Sequence, residues 1–173
     1  MQIDRLSLRG FRNYEDAQAQ FVPGVNLLVG GNANGKTNLL EAVSYLSTGR
    51  SFRTRREAEL IRFGADFAEL RAQVQSQERT RELRAVLFSG RRPRQLWLAG
   101  VRQRSRAALS GVLTSVLFCP EDLMLVRAGA AARRRFLDTA LCQLRPYYAR
   151  YLEEYNRLHE HKTRILRDSE EKP

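Results

Sequence analysis

The sequence predicts an α/β fold organised around a P-loop, with an antiparallel β subdomain and the beginning of a helical lobe. Three observations predict it. First, Gly30-Gly31-Asn32-Ala33-Asn34-Gly35-Lys36-Thr37 fits the pattern G-x-x-x-x-G-K-[ST]. Second, an apolar run at residues 25–29 precedes this loop as a buried strand would, and Leu39, Leu40, Val43 and Leu46 follow it at helical spacing. Third, from about residue 67 to 98 the hydrophobic period shifts toward two, the signature of half-buried antiparallel strands.

In chain order, Ile3, Leu6, Leu8 and Phe11 mark a first strand, closed by Gly10 and the turn Arg9-Gly10-Phe11-Arg12-Asn13-Tyr14. A second strand ends near Phe21-Val22, before the turn signal Pro23-Gly24. The P-loop strand and helix come next, and the helix ends near Thr48-Gly49 with Gly49 as a left-handed cap. A basic connector, Arg50-Ser51-Phe52-Arg53-Thr54-Arg55-Arg56, leads to a helix over 57–63. Strands are predicted at 67–74, 82–88 and 95–98, with a hairpin turn at 89–93.

Residues 113–118 read as another buried strand, stopped by Pro120. A helix over 131–144 carries Phe136, Leu137, Ala140, Leu141 and Leu144 on one face. A long helix over 147–167 carries Tyr148, Tyr151, Leu152, Tyr155, Leu158, Ile165 and Leu166, with Glu153/Arg157 and Glu160/Arg164 spaced for i,i+4 pairing. These elements divide the chain into an ATP-binding lobe over 1–118, with its β subdomain at about 67–98, and an incomplete helical lobe over 119–173.

The loop residues point to triphosphate chemistry. Gly30 and Gly35 permit backbone angles that a Cβ forbids, so the amides of Gly31, Asn32, Ala33 and Asn34 can converge on phosphate oxygens. The helix that follows adds the positive end of its dipole. Lys36 reaches the β- and γ-phosphates and Thr37 is the Mg²⁺ ligand. ATP with Mg²⁺ is the expected cofactor.

A chain of 173 residues holds one domain with a real core, or a piece of a larger one. It carries 30 Lys plus Arg against 19 Asp plus Glu, a formal charge of +11, and its only lysines are Lys36, Lys162 and Lys172. That excess favours a polyanionic partner, with nucleic acid first and an anionic membrane surface second, although an arginine-heavy genome gives the same bias. No signal pattern opens the sequence and no apolar run is long enough to span a bilayer. Cys119 and Cys142 lie far apart without metal or redox spacing, which predicts buried thiols in a reducing cytoplasm. His159 and His161, two residues apart on a helix, diverge and are expected to be solvated.

Several arginines are candidate anion or DNA contacts. Arg133, Arg134 and Arg135 fall in about the first turn of their predicted helix, where cations oppose the dipole, so an anion docking there would explain them. Arg50, Arg53, Arg55 and Arg56 follow a helix C-terminus, where phosphate contact and plain dipole compensation are equally good readings. Arg91, Arg92 and Arg94 at the hairpin tip, with Arg102, Arg104 and Arg106 beyond, form either a DNA-facing edge or charges that protect an edge strand.

With these pieces in place, the chain resembles the N-terminal half of the RecF family of SMC-like ABC-class ATPases. The matching stretches are 8–14, the P-loop through Ala42, Ser47-Thr48-Gly49-Arg50-Ser51-Phe52-Arg53, Phe118-Cys119-Pro120-Glu121-Asp122-Leu123, and Arg133-Arg134-Arg135-Phe136-Leu137-Asp138. The resemblance covers about residues 3–160 and implies the N-terminal part of an ABC-ATPase-type head. It further implies ATP binding, head-to-head ATP-dependent homodimerisation, and binding to single-stranded DNA and single-strand/double-strand junctions. Cooperation with RecR and RecO, recombinational gap repair, replication restart, SOS induction and a cytoplasmic location follow from it as well. By the same resemblance Gly30 to Asn38, Asn38 included, form the nucleotide cradle, and Arg12 and Asn13 lie beside the nucleotide.

The departures matter too. The sequence has no Walker B run followed by paired acids and no Leu-Ser-x-Gly-Gln before a helix, and Glu121 stands near where a Q-loop glutamine would be. Leu109-Ser110-Gly111 precedes an apolar run instead of a helix and is set aside. An uncovered amphipathic helix after residue 147 adds to the expectation of a truncated product that binds nucleotide weakly. Hydrolysis by this chain alone is left open, its intact parent being a slow, DNA-stimulated ATPase. Two competing classes remain: a small-molecule P-loop kinase or GTPase, lacking here a base-reading Asn-Lys-x-Asp, and a DNA-binding module with a vestigial P-loop.

Overall fold

Alternation along residues 67–76 puts Ala68, Leu70, Ala72 and Val74 on one face of a strand, and all four are buried. The same alternation at Leu6 and Leu8, and at Leu83, Ala85 and Leu87, supplies the neighbouring rows. The computed structural model describes residues 1–76, 79–125, 127 and 129–170, apart from the side chains of Glu121, Met124 and Glu170. Its strands are β1 (Gln2–Phe11), β2 (Tyr14–Gln20), β3 (Phe67–Ser76), β4 (Arg79–Phe88), β5 (Gln95–Leu98) and β6 (Val101–Gln103). They form one six-stranded sheet in the order β2-β1-β3-β4-β5-β6, and every pair is antiparallel.

The sheet takes in strands outside residues 67–98. The first hairpin joins it edge-on through β1–β3 pairing, from Gln2↔Gln75 to Arg9↔Glu69. β6, which the hydrophobic pattern does not separate, returns from β5 through a two-residue turn at Ala99 (φ 48°) and Gly100 (φ 78°). Such a turn needs left-handed backbone at both central positions, and a non-glycine at the first hid it.

One face of the sheet is apolar and is covered by the helix α1 (Lys36–Thr48) through Ala42, Tyr45 and Leu46. The other face is polar: Glu69 receives Arg71 at 2.7 Å and Arg84 at 3.0 Å, and the Arg84 guanidinium lies 4.5 Å from the Trp97 ring centre. One wet and one dry face is the usual arrangement of an antiparallel sheet.

Two predicted strands do not form. Residues 25–29 are irregular, with Val25 91% exposed, and residues 113–118 are irregular, with Val116 fully exposed. Apolarity shows that a segment favours burial; a strand also needs a ladder partner, and no described strand runs beside either segment. The Asn26 side chain instead accepts from Val22 N at 3.0 Å and donates to Val22 O at 2.8 Å, tying the segment into a local clip. The expected helix at 57–63 is shorter, a 3₁₀ turn over Glu57–Leu60.

The helices α2 (Ala130–Leu144) and α3 (Pro146–Glu170) form as expected, but their apolar faces stay open. Phe136, Leu137 and Leu144 of α2 are exposed, and so are Tyr151, Tyr155, Leu158, Ile165 and Leu166 of α3. Glu153 turns away from Arg157 to meet Arg106 at 3.4 Å. Cys119 and Cys142 are half-buried rather than buried. Among the described residues no helix is long and apolar enough to cross a membrane.

Candidate functional site

The loop at 30–35 wraps into α1 through two left-handed residues, Ala33 at φ 65° and Gly35 at φ 90°. Gly35 is the N-cap of α1, and a Cβ there would sit 2.7 Å from the Asn13 amide and 2.9 Å from the Tyr14 hydroxyl. Both the angle and the close approach require glycine. No side chain caps α1 and no acid lies in its first turn, so the first amides of the helix are left for an external anion. Lys36 Nζ donates to the carbonyls of Gly30 at 2.7 Å and Gly31 at 2.6 Å, which holds the ammonium against the loop. Thr37 is exposed on the first turn of α1.

The Arg12-Asn13 turn, far away in sequence, forms one wall of this site. Phe11 pairs with Tyr14, leaving Arg12 and Asn13 as a two-residue hairpin with Arg12 at φ 54°. Left-handed backbone is costly for arginine, and several contacts impose it here. Arg12 N donates to Leu60 O at 2.8 Å, and NH1 donates to Glu59 O at 2.8 Å. Tyr14 Oη donates to Gly35 O at 3.1 Å, and Asn38 Nδ2 donates to Asn13 Oδ1 at 2.8 Å. Arg53 NH1 in turn donates to Asn38 Oδ1 at 2.7 Å.

At the centre of these contacts is a residue that the motif does not single out. Glu41 is 0% exposed and accepts from Arg12 Nε at 2.9 Å and Arg12 NH2 at 2.8 Å, a bidentate pair. Ser51 Oγ and Arg53 NH1 complete its shell. Burial alone would push this carboxyl up, but the hydrogen bonds from Arg12 and Ser51 and the charges of Arg12 and Arg53 outweigh it and hold Glu41 below the usual carboxylate range. The signal was available: Glu41 lies one residue before Ala42 and one turn before Tyr45, on the core side of the helix, where an acid needs a cation.

The structure thus brings together Arg12, Asn13, Gly30–Asn38 and Arg53, and it separates the other arginines from them. Arg50 turns to the opposite side of the connector, toward Arg94 and Arg106. Arg133, Arg134 and Arg135 lie toward the end of the first turn of α2 and beyond it, since the helix starts at Ala130 with Gly129 as its cap. The dipole acts mainly on the first turn, so the electrostatic argument for an anion at these three loses its force. The side chain of Glu121 lies outside the described residues.

The family model described as RecF/RecN/SMC N terminal domain matches residues 2–92. The chain belongs to the RecF/RecN/SMC family. Within that family it is similar to the DNA replication and repair protein RecF of Symbiobacterium thermophilum, 42% identical over 168 residues, covering 96% of this chain and 44% of the relative. RecF of Halalkalibacterium halodurans is 40% identical, covering 91% of this chain and 42% of the relative. The chain spans less than half the length of these RecF relatives and aligns with their N-terminal part.

Among solved structures, the recombination mediator RecF-ATPrS of the RecFOR pathway superposes with a TM-score of 0.90 at 28% identity, covering 99% of this chain and 46% of that one. The SMC head domain from Thermotoga maritima has a TM-score of 0.51 at 20% identity over 60% of this chain and 39% of that one, a likeness of fold alone. The fold is the N-terminal part of an ABC-ATPase-type head in the RecF/RecN/SMC family.

Proposed function

We propose that this chain is the nucleotide-binding N-terminal part of a RecF-type DNA replication and repair ATPase. The observation that carries the reading is the uncapped start of α1, with Gly35 pressed against the Asn13-Tyr14 hairpin and Lys36 held against the loop. Gly30 to Asn38 would cradle the phosphates of ATP, with Lys36 on the terminal ones and Thr37 Oγ1 holding Mg²⁺. When bound, Mg²⁺ would supply neutralisation of phosphate charge. The donor set suits that chemistry: an exposed threonine hydroxyl stands beside an uncapped helix start, and glycine at 35 lets the loop pack against the Asn13-Tyr14 hairpin.

The chain's own residues then have separable tasks. Glu41 fixes Arg12 and Arg53, so that the hairpin and the connector hold a constant position against α1. Asn38 links Asn13 to Arg53 across the site. A nucleotide entering the cradle would therefore meet Arg12 and Asn13 already positioned, which spares the entropy of ordering them on binding.

The whole-protein reading follows from the RecF relatives, one of them a structure described as RecF-ATP in the RecFOR pathway. It comprises DNA binding at single strands and junctions, cooperation with RecR and RecO, ATP-dependent homodimerisation, and a role in gap repair, replication restart and the SOS response in the cytoplasm. Hydrolysis would need elements beyond the cradle, since this sequence has neither a Walker B run nor a signature motif.

The test compares ATP–Mg²⁺ binding by this chain and by Lys36→Ala using calorimetry, alongside thermal unfolding of both. Loss of binding at unchanged stability supports the cradle. Equal binding by the two proteins would defeat it. DNA affinity indifferent to ATP, with the cradle intact, would leave a DNA-binding module with a vestigial loop.

A further inference from the structure

A cavity of about 530 Å³ opens between the β5–β6 hairpin, the C-terminal end of α1 and the middle of α3. It shares no residue with the P-loop. Five arginines line it, Arg50, Arg94, Arg104, Arg106 and Arg157, against two glutamates, Glu153 and Glu160. They come from four separate parts of the chain, so the convergence is a product of the fold and not of a local run of arginines.

The charges are incompletely matched. Arg94 is committed to Glu57, and Arg106 faces Glu153 at 3.4 Å. Arg50, Arg104 and Arg157 have no ion-pair partner among the described residues. Arg106 is held in place by its stem, which crosses the α1 cap so closely that a Cβ on Gly49 would come within 2.8 Å of its Cδ. Burial, with Arg50 and Arg94 nearby, pulls the Arg106 guanidinium below its usual range. Arginines without partners around one cavity repel one another, and a bound anion would relieve that repulsion.

The lining also says which anion. Leu96 is the one apolar side chain lining the cavity among the described residues, so an apolar ligand gains little there. Planar guanidinium forks, with the amides of Gln103 and Asn156 beside them, suit tetrahedral oxyanions with several acceptor oxygens. The two glutamates offset only part of this charge, since five arginines face them across the cavity.

We propose that this arginine-lined cavity is a second anion site, distinct from the P-loop, which binds phosphate groups of a nucleic-acid strand or of a free polyphosphate. The inference stands on charge and shape at the cavity and is independent of the nucleotide reading of the loop.

The test is made in a Lys36→Ala background, which weakens the loop's own hold on phosphate equally in every protein compared. Arg104→Ala/Arg157→Ala removes two exposed, unpaired charges from the cavity. Arg91→Ala/Arg102→Ala removes the same charge from exposed positions outside it. Binding of a short oligothymidylate is followed by fluorescence anisotropy across a salt series, and binding of inorganic pyrophosphate by calorimetry. The cavity pair should weaken oligothymidylate binding at least about tenfold. It should also flatten the salt slope by about 1.4, near 0.7 for each phosphate of a single strand that is no longer neutralised.

The outside pair should change affinity less than about threefold. A parallel loss of pyrophosphate binding would assign free polyphosphate to the same site, and unchanged, weak pyrophosphate binding would assign the strand. Equal losses from the two pairs would overturn the proposal in favour of diffuse charge. Oligoglutamate bound as tightly as oligothymidylate, and equally lost in the cavity pair, would overturn the phosphate assignment.

Discussion

Arg12 and Glu41 form a bidentate ion pair at 2.9 and 2.8 Å across 29 residues of sequence, with the carboxylate fully enclosed. It joins the first hairpin to α1 just after the P-loop. Removing the acid leaves Arg12, strained at φ 54°, without the partner that holds it. Glu41→Ala should therefore cost about 3 to 5 kcal/mol, the usual penalty for breaking a buried pair, in urea denaturation followed by far-UV circular dichroism. A loss below about 1 kcal/mol would mean that the pair is ornamental.

Acid should destabilise the fold through the same carboxylate. Glu41 and Glu69 both lie below their ordinary value of 4.5, each because arginine hydrogen bonds and charges outweigh the effect of burial. Their folded pKa is lower than their unfolded one, so the unfolded chain binds more protons in this range. The stability they confer is fully present above about pH 4.5 and is lost as pH falls through the folded values. Unfolding midpoints measured from pH 7 to pH 3 should drop mainly below about pH 5, and Glu41→Gln should flatten the fall.

Gly35→Ala tests the cradle's backbone. Alanine at φ 90° carries a conformational cost of about 1 to 3 kcal/mol, and its methyl meets the Asn13 amide at 2.7 Å. Nucleotide affinity should fall more than about tenfold, with a lower melting temperature. Gly64→Ala is the control, since its φ is 80° but no atom lies within 4 Å of the added Cβ. It should lose stability without losing the ligand.

The distal half of α3 should exchange its amides quickly. From residue 157 to 169 every side chain is exposed, and a helix end without tertiary contacts is marginal in water. Hydrogen exchange should show protection near Ala149, which is buried, falling steeply beyond Arg157. Uniform protection along α3 would show that the exposed stripe is covered in solution.

Short-range physics was legible in the sequence. Glycine spacing, the Gly49 cap of α1 and the alternation of Ala68, Leu70, Ala72 and Val74 each depend on a few neighbouring residues, and each appeared where expected. The loop at 30–37 belongs to the same group, because the angles it needs are properties of single residues. Apolar content at 25–29 and 113–118 was legible too, but its outcome was not, since a strand exists only beside another strand.

Which distant residues met was a matter for the folded chain. Nothing local joins Arg12 to Glu41 and Arg53, or Arg50 to Arg104 and Arg157, because each convergence depends on how the sheet orders its strands and where the helices cross it. A glycine loop able to accept phosphate is written in the order of the residues, since it needs only their own backbone freedom. That the first hairpin closes against this loop, with one buried carboxylate holding both in place, depends on long-range packing that no local pattern encodes.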